Sequence, residues 1–396
     1  MPGLRIFISA GEASGDLHGA ALIRALRARR PGAEVLALGG PRMREAGARL
    51  LADTTALGII GVAPLAGGVS HYLDLLSRAD RVLAAERVDV AVVIDCPGFH
   101  FLLGSRLRAR RIPALWYIPP QVWAWAPWRV RKLGRRFSHV ACVLPHEKAF
   151  FEAHGVPVTF VGHPAVDHLR SLALDEAFMA SLRPRPDAPL VAIFPGSRRQ
   201  EVAGILRRQL GVARALAERR RDCTFVCALA HEAHAAWAAE TLARADVPVR
   251  TVVGRTHEVQ KAADLALAKS GTTTLELLYY GTPMAVFYNI GWAEWHLLGR
   301  WMINRWYRDK LSLPNALAGR TIVPESMHDR PVTAAETNEI VRLLTDPDHR
   351  RRMQDDLAEV RATLDRPGAA ARTADLVLGL AESTAPPPGR RPGFAM

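Results

Sequence analysis

Three short segments of the 396-residue chain combine small residues with groups able to hold a phosphate or move a proton. The first is Ser9-Ala10-Gly11-Glu12-Ala13-Ser14-Gly15-Asp16-Leu17-His18-Gly19-Ala20. Its small residues allow a tight turn after a strand, and amides at the start of the following helix can face a ligand. Glu12, Asp16 and His18 are acid–base candidates beside that turn, and Asp16 can equally serve as a helix cap. The segment lacks the Gly-Lys-Ser/Thr ending of a Walker loop and does not fit G-x-G-x-x-G. The second segment is Phe194-Pro195-Gly196-Ser197-Arg198-Arg199-Gln200-Glu201-Val202. Free amides near Gly196, the Ser197 hydroxyl and the Arg198 guanidinium suit a diphosphate, although a capped helix with solvated arginines reads the same way. The third is Lys269-Ser270-Gly271-Thr272-Thr273-Thr274-Leu275-Glu276. Hydroxyls at Ser270, Thr272, Thr273 and Thr274 with the amides near Gly271 can hold phosphate oxygens, and Glu276 can accept from ribose hydroxyls. Ser/Thr clusters also cap helices without any ligand.

The elements that must position these segments follow from alternating apolar runs and amphipathic stretches, the pattern of a parallel α/β sheet. In the first half the strand candidates are Leu4–Ala10, Glu34–Leu38, Val90–Ile94, Ala114–Ile118, His139–Val143 and Val158–Val161, with a helix over Gly19–Arg29. The second series comprises Leu190–Phe194, Thr224–Leu229, Val249–Val253, Leu265–Ala268 and Met284–Phe287. The pattern predicts two Rossmann-like domains facing across a cleft, with ligands at the carboxyl ends of the strands. The expected boundaries are a first domain over 1–165, a linker over 166–189, a second domain over 190–312, a helical C-terminal segment over 313–383 and a tail over 384–396.

Composition narrows the class. Hydrophobic residues make up 49% and charged residues 23%, enough for two separate cores. No run approaches the roughly 18 uninterrupted apolar residues of a membrane span, and the N-terminus lacks a signal-type apolar region, so a cytoplasmic location is expected. The cysteines Cys96, Cys142, Cys223 and Cys227 lie in or beside apolar runs and lack redox or zinc spacing, which predicts buried thiols. The formal charge of +13 suits anionic membrane, nucleic acid or phosphorylated substrate, but no nucleic-acid module accompanies it. Two tryptophan-rich stretches flanked by basic residues, 116–136 and 287–307, are candidates for lipid contact or for core. His231-Glu232-Ala233-His234 misses the H-E-x-x-H zinc spacing.

Taken in order, S-A-G-E-A-S-G-D-L-H-G-A, P-P-Q-V-W-A-W, F-V-G-H-P, P-G-S-R-x-x-E-V, S-G-T-x-T-L-E and L-P-N-A-L-A-G-R resemble the lipid-A-disaccharide synthase family across roughly residues 4–380. The resemblance implies the GT-B glycosyltransferase fold and a hexosyltransferase that needs no metal and no cofactor. It implies transfer of 2,3-diacylglucosamine from UDP-2,3-diacylglucosamine to 2,3-diacylglucosamine 1-phosphate, with inversion to a β-1,6 disaccharide. It also implies attachment to the inner face of the inner membrane, an often dimeric state, and Asn315 near the donor. Other UDP-sugar transferases, GT-B-like epimerases and a non-catalytic binding protein are the competing classes. The family's favoured base is the second Asp of D-x-P-D-F-N, where this chain has Asp95-Cys96-Pro97-Gly98-Phe99-His100. The expected bases are therefore Asp95, His100, Glu12 or Asp16.

Overall fold

The computed structural model describes residues 3–54, 68–185, 187–196, 199–290, 302–304, 310–328 and 331–384. The chain divides into two compact units, Met1–Pro164 with Arg366–Met396, and Ala165–Asp365.

The first unit runs β1 (Arg5–Ala10), α1 (Ala13–Arg29), β2 (Glu34–Gly39), α2 (Pro41–Glu45), β3 (Arg49–Asp53), α3 (Gly68–Ala85), β4 (Val90–Ile94), α4 (Pro97–Ala109), β5 (Ala114–Tyr117), α5 (Arg129–Gly134), β6 (His139–Cys142), α6 (Pro145–Ala153) and β7 (Val158–Phe160). These strands form one parallel sheet in the order β3-β2-β1-β4-β5-β6-β7. Side chains alternate faces along each strand. Phe7, Leu36, Val93, Trp116 and Val140 enter one core with Leu76 of α3, Phe99 of α4, Leu133 of α5 and Phe151 of α6.

The second unit begins with α7 (Pro164–Ser171) and α8 (Glu176–Ser181), then runs β8 (Leu190–Phe194), α9 (Arg199–Arg219), β9 (Thr224–Leu229), α10 (Glu232–Ala243), β10 (Val249–Val253), α11 (Thr256–Ala262), β11 (Leu265–Lys269), α12 (Thr272–Tyr280), β12 (Met284–Ile290), α13 (Leu313–Ala318), β13 (Glu325–His328), α14 (Ala334–Thr345) and α15 (Pro347–Leu364). Its parallel sheet has the order β10-β9-β8-β11-β12-β13. The last helix, α16 (Ala369–Thr384), returns to the first unit, where Arg29 meets Asp375 at 2.5 Å and Arg30 meets Glu382 at 2.6 Å. The span expected as a linker contains α7 and α8, the latter capped by Asp175 accepting from the Phe178 amide at 2.9 Å. Two strands have no counterpart in the sequence reading, β3 and β13. Both are sheet edges: β13 has one apolar residue, Met327, and the short Leu50-Leu51-Ala52 run of β3 is only partly buried, so neither carries a long buried run to mark it.

Both sheets reverse direction at a defined place. In the first unit β1 leads outward to β2 and β3, while β4 leads the other way, so β1 and β4 flank the switch point. In the second unit β8 and β11 do the same. Open α/β sheets bind ligands outside the carboxyl ends of the strands at such points.

Candidate active site

At the second unit's switch point the β8–β11 register pairs Phe194 with Ala268, so the turns that follow them lie side by side. Gly196 and Gly271 have φ of +110° and +148°, which glycine adopts without strain. Each turn feeds a helix, α9 or α12, whose unbonded first amides and positive dipole end favour an anion. Gln209, fully buried in α9, donates to the Phe194 carbonyl at 3.1 Å and the Leu267 carbonyl at 2.9 Å, locking the two strand ends together. Thr274 is turned inward onto the Gly271 carbonyl at 2.7 Å, whereas Thr272 is exposed and Thr273 half-buried. Ser270 is half-buried, its amide bonded to the Phe287 carbonyl at 2.9 Å. One oxygen of Glu276 accepts from Gln260 Nε2 at 2.7 Å, and Gln260 in turn meets His257 Nδ1 at 3.2 Å. Ser197 and Arg198 lie outside the described residues.

Asn315 has a different task from the one expected. Its Oδ1 accepts from the amides of Ile322 at 2.6 Å and Val323 at 2.9 Å. Its Nδ2 donates to the Val323 carbonyl at 2.9 Å and to Glu325 Oε1 at 2.5 Å. Two donors and two lone pairs exhaust an amide side chain, so nothing is left for a donor sugar.

At the first unit's switch point, Ser9 of β1 stands beside Val93 of β4. Asp95 and Cys96 follow with φ of +51° and +46°, two consecutive left-handed residues without glycine. Such backbone stores about 1–3 kcal/mol per residue and clusters at functional sites. Burial raises the Asp95 carboxyl above its ordinary range, against a lowering hydrogen bond from the Cys96 amide. Burial raises the Cys96 thiol to about 12, and the negative charges of Asp95 and Glu12 add to it. The other three thiols are raised by burial as well.

Two expected bases are otherwise engaged. His100 is fully buried, and burial lowers it to about 4, so its ring is neutral at pH 7. Its Nδ1 lies 2.6 Å from the Asp95 carbonyl, which can only accept, so Nδ1 carries the proton. Nε2 must then accept from Ser9 Oγ at 2.9 Å, and no lone pair remains for a substrate. The helix α1 starts at Ala13 rather than Gly19, which puts Asp16 in its first turn. There the Asp16 carboxylate accepts from the amides of Gly40 at 2.8 Å, Arg42 at 3.1 Å and Met43 at 3.0 Å, capping α2 from outside. Glu12 is the half-buried N-cap position of α1, and Asp95 follows β4.

A profile described as lipid-A-disaccharide synthetase matches residues 6–378. The lipid-A-disaccharide synthase of Syntrophus aciditrophicus is 35% identical over 376 residues, 95% of this chain and 97% of that protein. That of Geobacter sulfurreducens is 36% identical over 379 residues, 94% and 96% of the two chains. The chain belongs to this family. The function that goes with the lipid-A-disaccharide synthase family is lipid A disaccharide formation by a glycosyltransferase. Solved structures agree on the two-domain α/β GT-B fold: UDP-GlcNAc 2-epimerase from Neisseria meningitidis has a TM-score of 0.64 at 13% identity, covering 95% of this chain and 100% of that one. MurG from Acinetobacter baumannii has a TM-score of 0.52 at 15% identity, covering 95% and 99%.

Within the synthase family's P-P-Q-V-W-A-W motif, the two tryptophans part company. Trp123 is buried, its Nε1 donating at 3.1 Å to the carboxyl of Glu147, which burial raises to about 7. Trp116 is also core, whereas Trp125 is 38% and Trp128 61% exposed. Of the second tryptophan-rich stretch, Phe287 is buried core and Met302 partly exposed, while Trp292, Trp295, Trp301 and Trp306 lie outside the described residues.

Proposed function

We propose that this chain transfers 2,3-diacylglucosamine from UDP-2,3-diacylglucosamine to the 6-hydroxyl of 2,3-diacylglucosamine 1-phosphate, giving the β-1,6 disaccharide 1-phosphate and UDP. The observation that carries the reading is the pair of helix starts, α9 and α12, side by side at the switch point between β8 and β11. Gly196, Ser197, Arg198, Ser270, Gly271, Thr272 and Thr273 hold the diphosphate and stabilise charge as UDP leaves. Glu276 receives the ribose hydroxyls. Asp95 takes the acceptor proton, with Glu12 as the second carboxylate of the same turn pair. The donor linkage is α, so direct displacement inverts the anomeric centre. In this reading 1–165 is the acceptor and lipid domain and 190–312 the UDP-sugar domain. Attachment to the inner face of the inner membrane and a homodimeric state belong to the same proposal.

The direct test mixes the purified full chain with both diacylglucosamine substrates and follows disaccharide 1-phosphate and UDP together. Equal amounts of the two products, with a β anomeric signal, are expected. UDP release without disaccharide, or no turnover despite donor binding, overturns the transferase reading for these substrates.

A second expected result concerns Gln260, which is fully buried and holds one Glu276 oxygen. Gln260→Met removes a hydrogen bond to a charged group, so the donor KM rises about tenfold with kcat little changed. Steady-state kinetics at saturating acceptor separate the two parameters. A fall in kcat with unchanged KM contradicts the ribose role of Glu276.

A further inference from the structure

The outer side of α4 and α5 carries an excess of positive charge that no carboxylate among the described residues pairs with. Arg108 and Arg111 at the end of α4, with Arg135 and Arg136 at the end of α5, line a hollow of about 260 Å³. Among the described residues, Arg108, Arg111, Arg131, Lys132, Arg135 and Arg136 form no ion pair with a carboxylate, whereas neighbouring Arg110 meets Asp80 at 3.0 Å. Partial burial lowers Arg136 below its ordinary range, and the nearby Arg108 adds to it. The two helices are joined by Phe101, over whose ring Arg129 sits at 4.7 Å and Lys132 at 5.6 Å. α4 and the segment leading into α5 also carry exposed apolar groups: Leu102 at 45% on α4, and Trp125 at 38% and Trp128 at 61% just before α5.

From this juxtaposition we infer that the α4–α5 face docks on an anionic phospholipid bilayer, with headgroup phosphates in the four-arginine hollow and Trp125, Trp128 and Leu102 in the interfacial layer. The inference deepens the membrane attachment proposed above and rests on it. Basic side chains gather at a negative surface, and tryptophan settles where one end of the ring is apolar and the other wet. A single-stranded nucleic acid could stack on the tryptophans, but Leu102 offers nothing to stack on. An aliphatic side chain among arginines matches acyl chains under headgroups.

Co-sedimentation of the full chain with phosphatidylcholine vesicles, with and without about a third phosphatidylglycerol, tests this. The wild type is expected to bind only the anionic vesicles. Each basic residue contributes about fivefold, so Arg131→Gln/Lys132→Gln/Arg135→Gln is expected to weaken binding on the order of 100-fold. Trp128→Ala, which leaves the charge untouched, is expected to weaken it several-fold. All these side chains are exposed, and unchanged turnover on detergent-dispersed substrates checks that the variants fold. Wild-type binding that survives both variants overturns the surface assignment while leaving membrane attachment standing. Failure of the wild type to bind any vesicle overturns the attachment itself. Loss of poly(U) binding in the triple variant, with vesicle binding unchanged, assigns the surface to RNA and overturns the proposal.

Discussion

Asp95→Asn is expected to lower kcat by about 10²–10⁴-fold, the usual contribution of a positioned general base, with the donor KM nearly unchanged. The substitution is unusually clean. Asparagine tolerates the left-handed conformation at φ +51° as well as aspartate does, so the turn between β4 and α4 keeps its shape. The His100 bond is made to the Asp95 backbone carbonyl and survives the change. Asp95→Ala, by contrast, adds strain at the same φ and confuses lost chemistry with lost structure.

The raised pKa of Asp95 gives two further readouts of opposite sign. A base must be ionised, so the acidic limb of the kcat/KM profile is expected above the ordinary carboxylate range and absent from the residual rate of Asp95→Asn. For stability, burial disfavours the ionised form, so between the unfolded and folded pKa values the native state binds more protons. Stability due to this group is then present at low pH and falls as pH rises through the folded value. Above the folded value the native chain carries the penalty of an ionised, buried Asp95, and Asp95→Asn removes it. The variant is expected to melt higher than the wild type above the folded value, with the difference shrinking as pH falls through it. A slow but more stable enzyme is the signature of a group held for chemistry. An equally active or less stable one argues that Asp95 serves the fold.

The sequence made the parallel strands legible because strands buried on both faces read as continuous apolar runs, as Val90–Ile94 and Leu190–Phe194 do. The half-exposed edge strands β3 and β13 carry no such run. The two glycine turns were legible as strand–helix connections because each follows a buried apolar run, but only the strand order puts them side by side. The fate of individual polar residues was not legible. Asp16 is occupied by amides 24 to 27 positions away, and His100 by Ser9, 91 positions away. Nothing local distinguishes those side chains from free acid–base groups. The converse holds for Gln209 and Gln260, which sit in ordinary helical sequence and become important only once β8, β11 and α12 converge on them. Trp116, Trp123, Trp125 and Trp128 divide two and two between core and surface, a choice set by tertiary packing rather than by residue type.

Asn315 separates a structural from a ligand-binding role most sharply. Asn315→Ala leaves the amides of Ile322 and Val323, the Val323 carbonyl and part of Glu325 without a partner in a site with no solvent exposure. Each buried unpaired group costs about 1–3 kcal/mol, partly recovered by water or relaxation, so a total loss of about 3–5 kcal/mol is expected. In a unit of this size that lowers the melting temperature by roughly 10 °C. Glu325 spreads the damage, since its Oε1 also accepts from the Ser312 amide at 2.9 Å and hydroxyl at 2.6 Å, which hold the start of α13. Calorimetry together with the donor KM of the folded fraction decides the matter. A large drop in melting temperature with KM close to wild type follows from the geometry, because every hydrogen-bonding position of the amide points into the protein. A raised KM in a protein that melts normally requires that the side chain leave those four partners for the donor sugar, and it restores the role that the sequence resemblance implies.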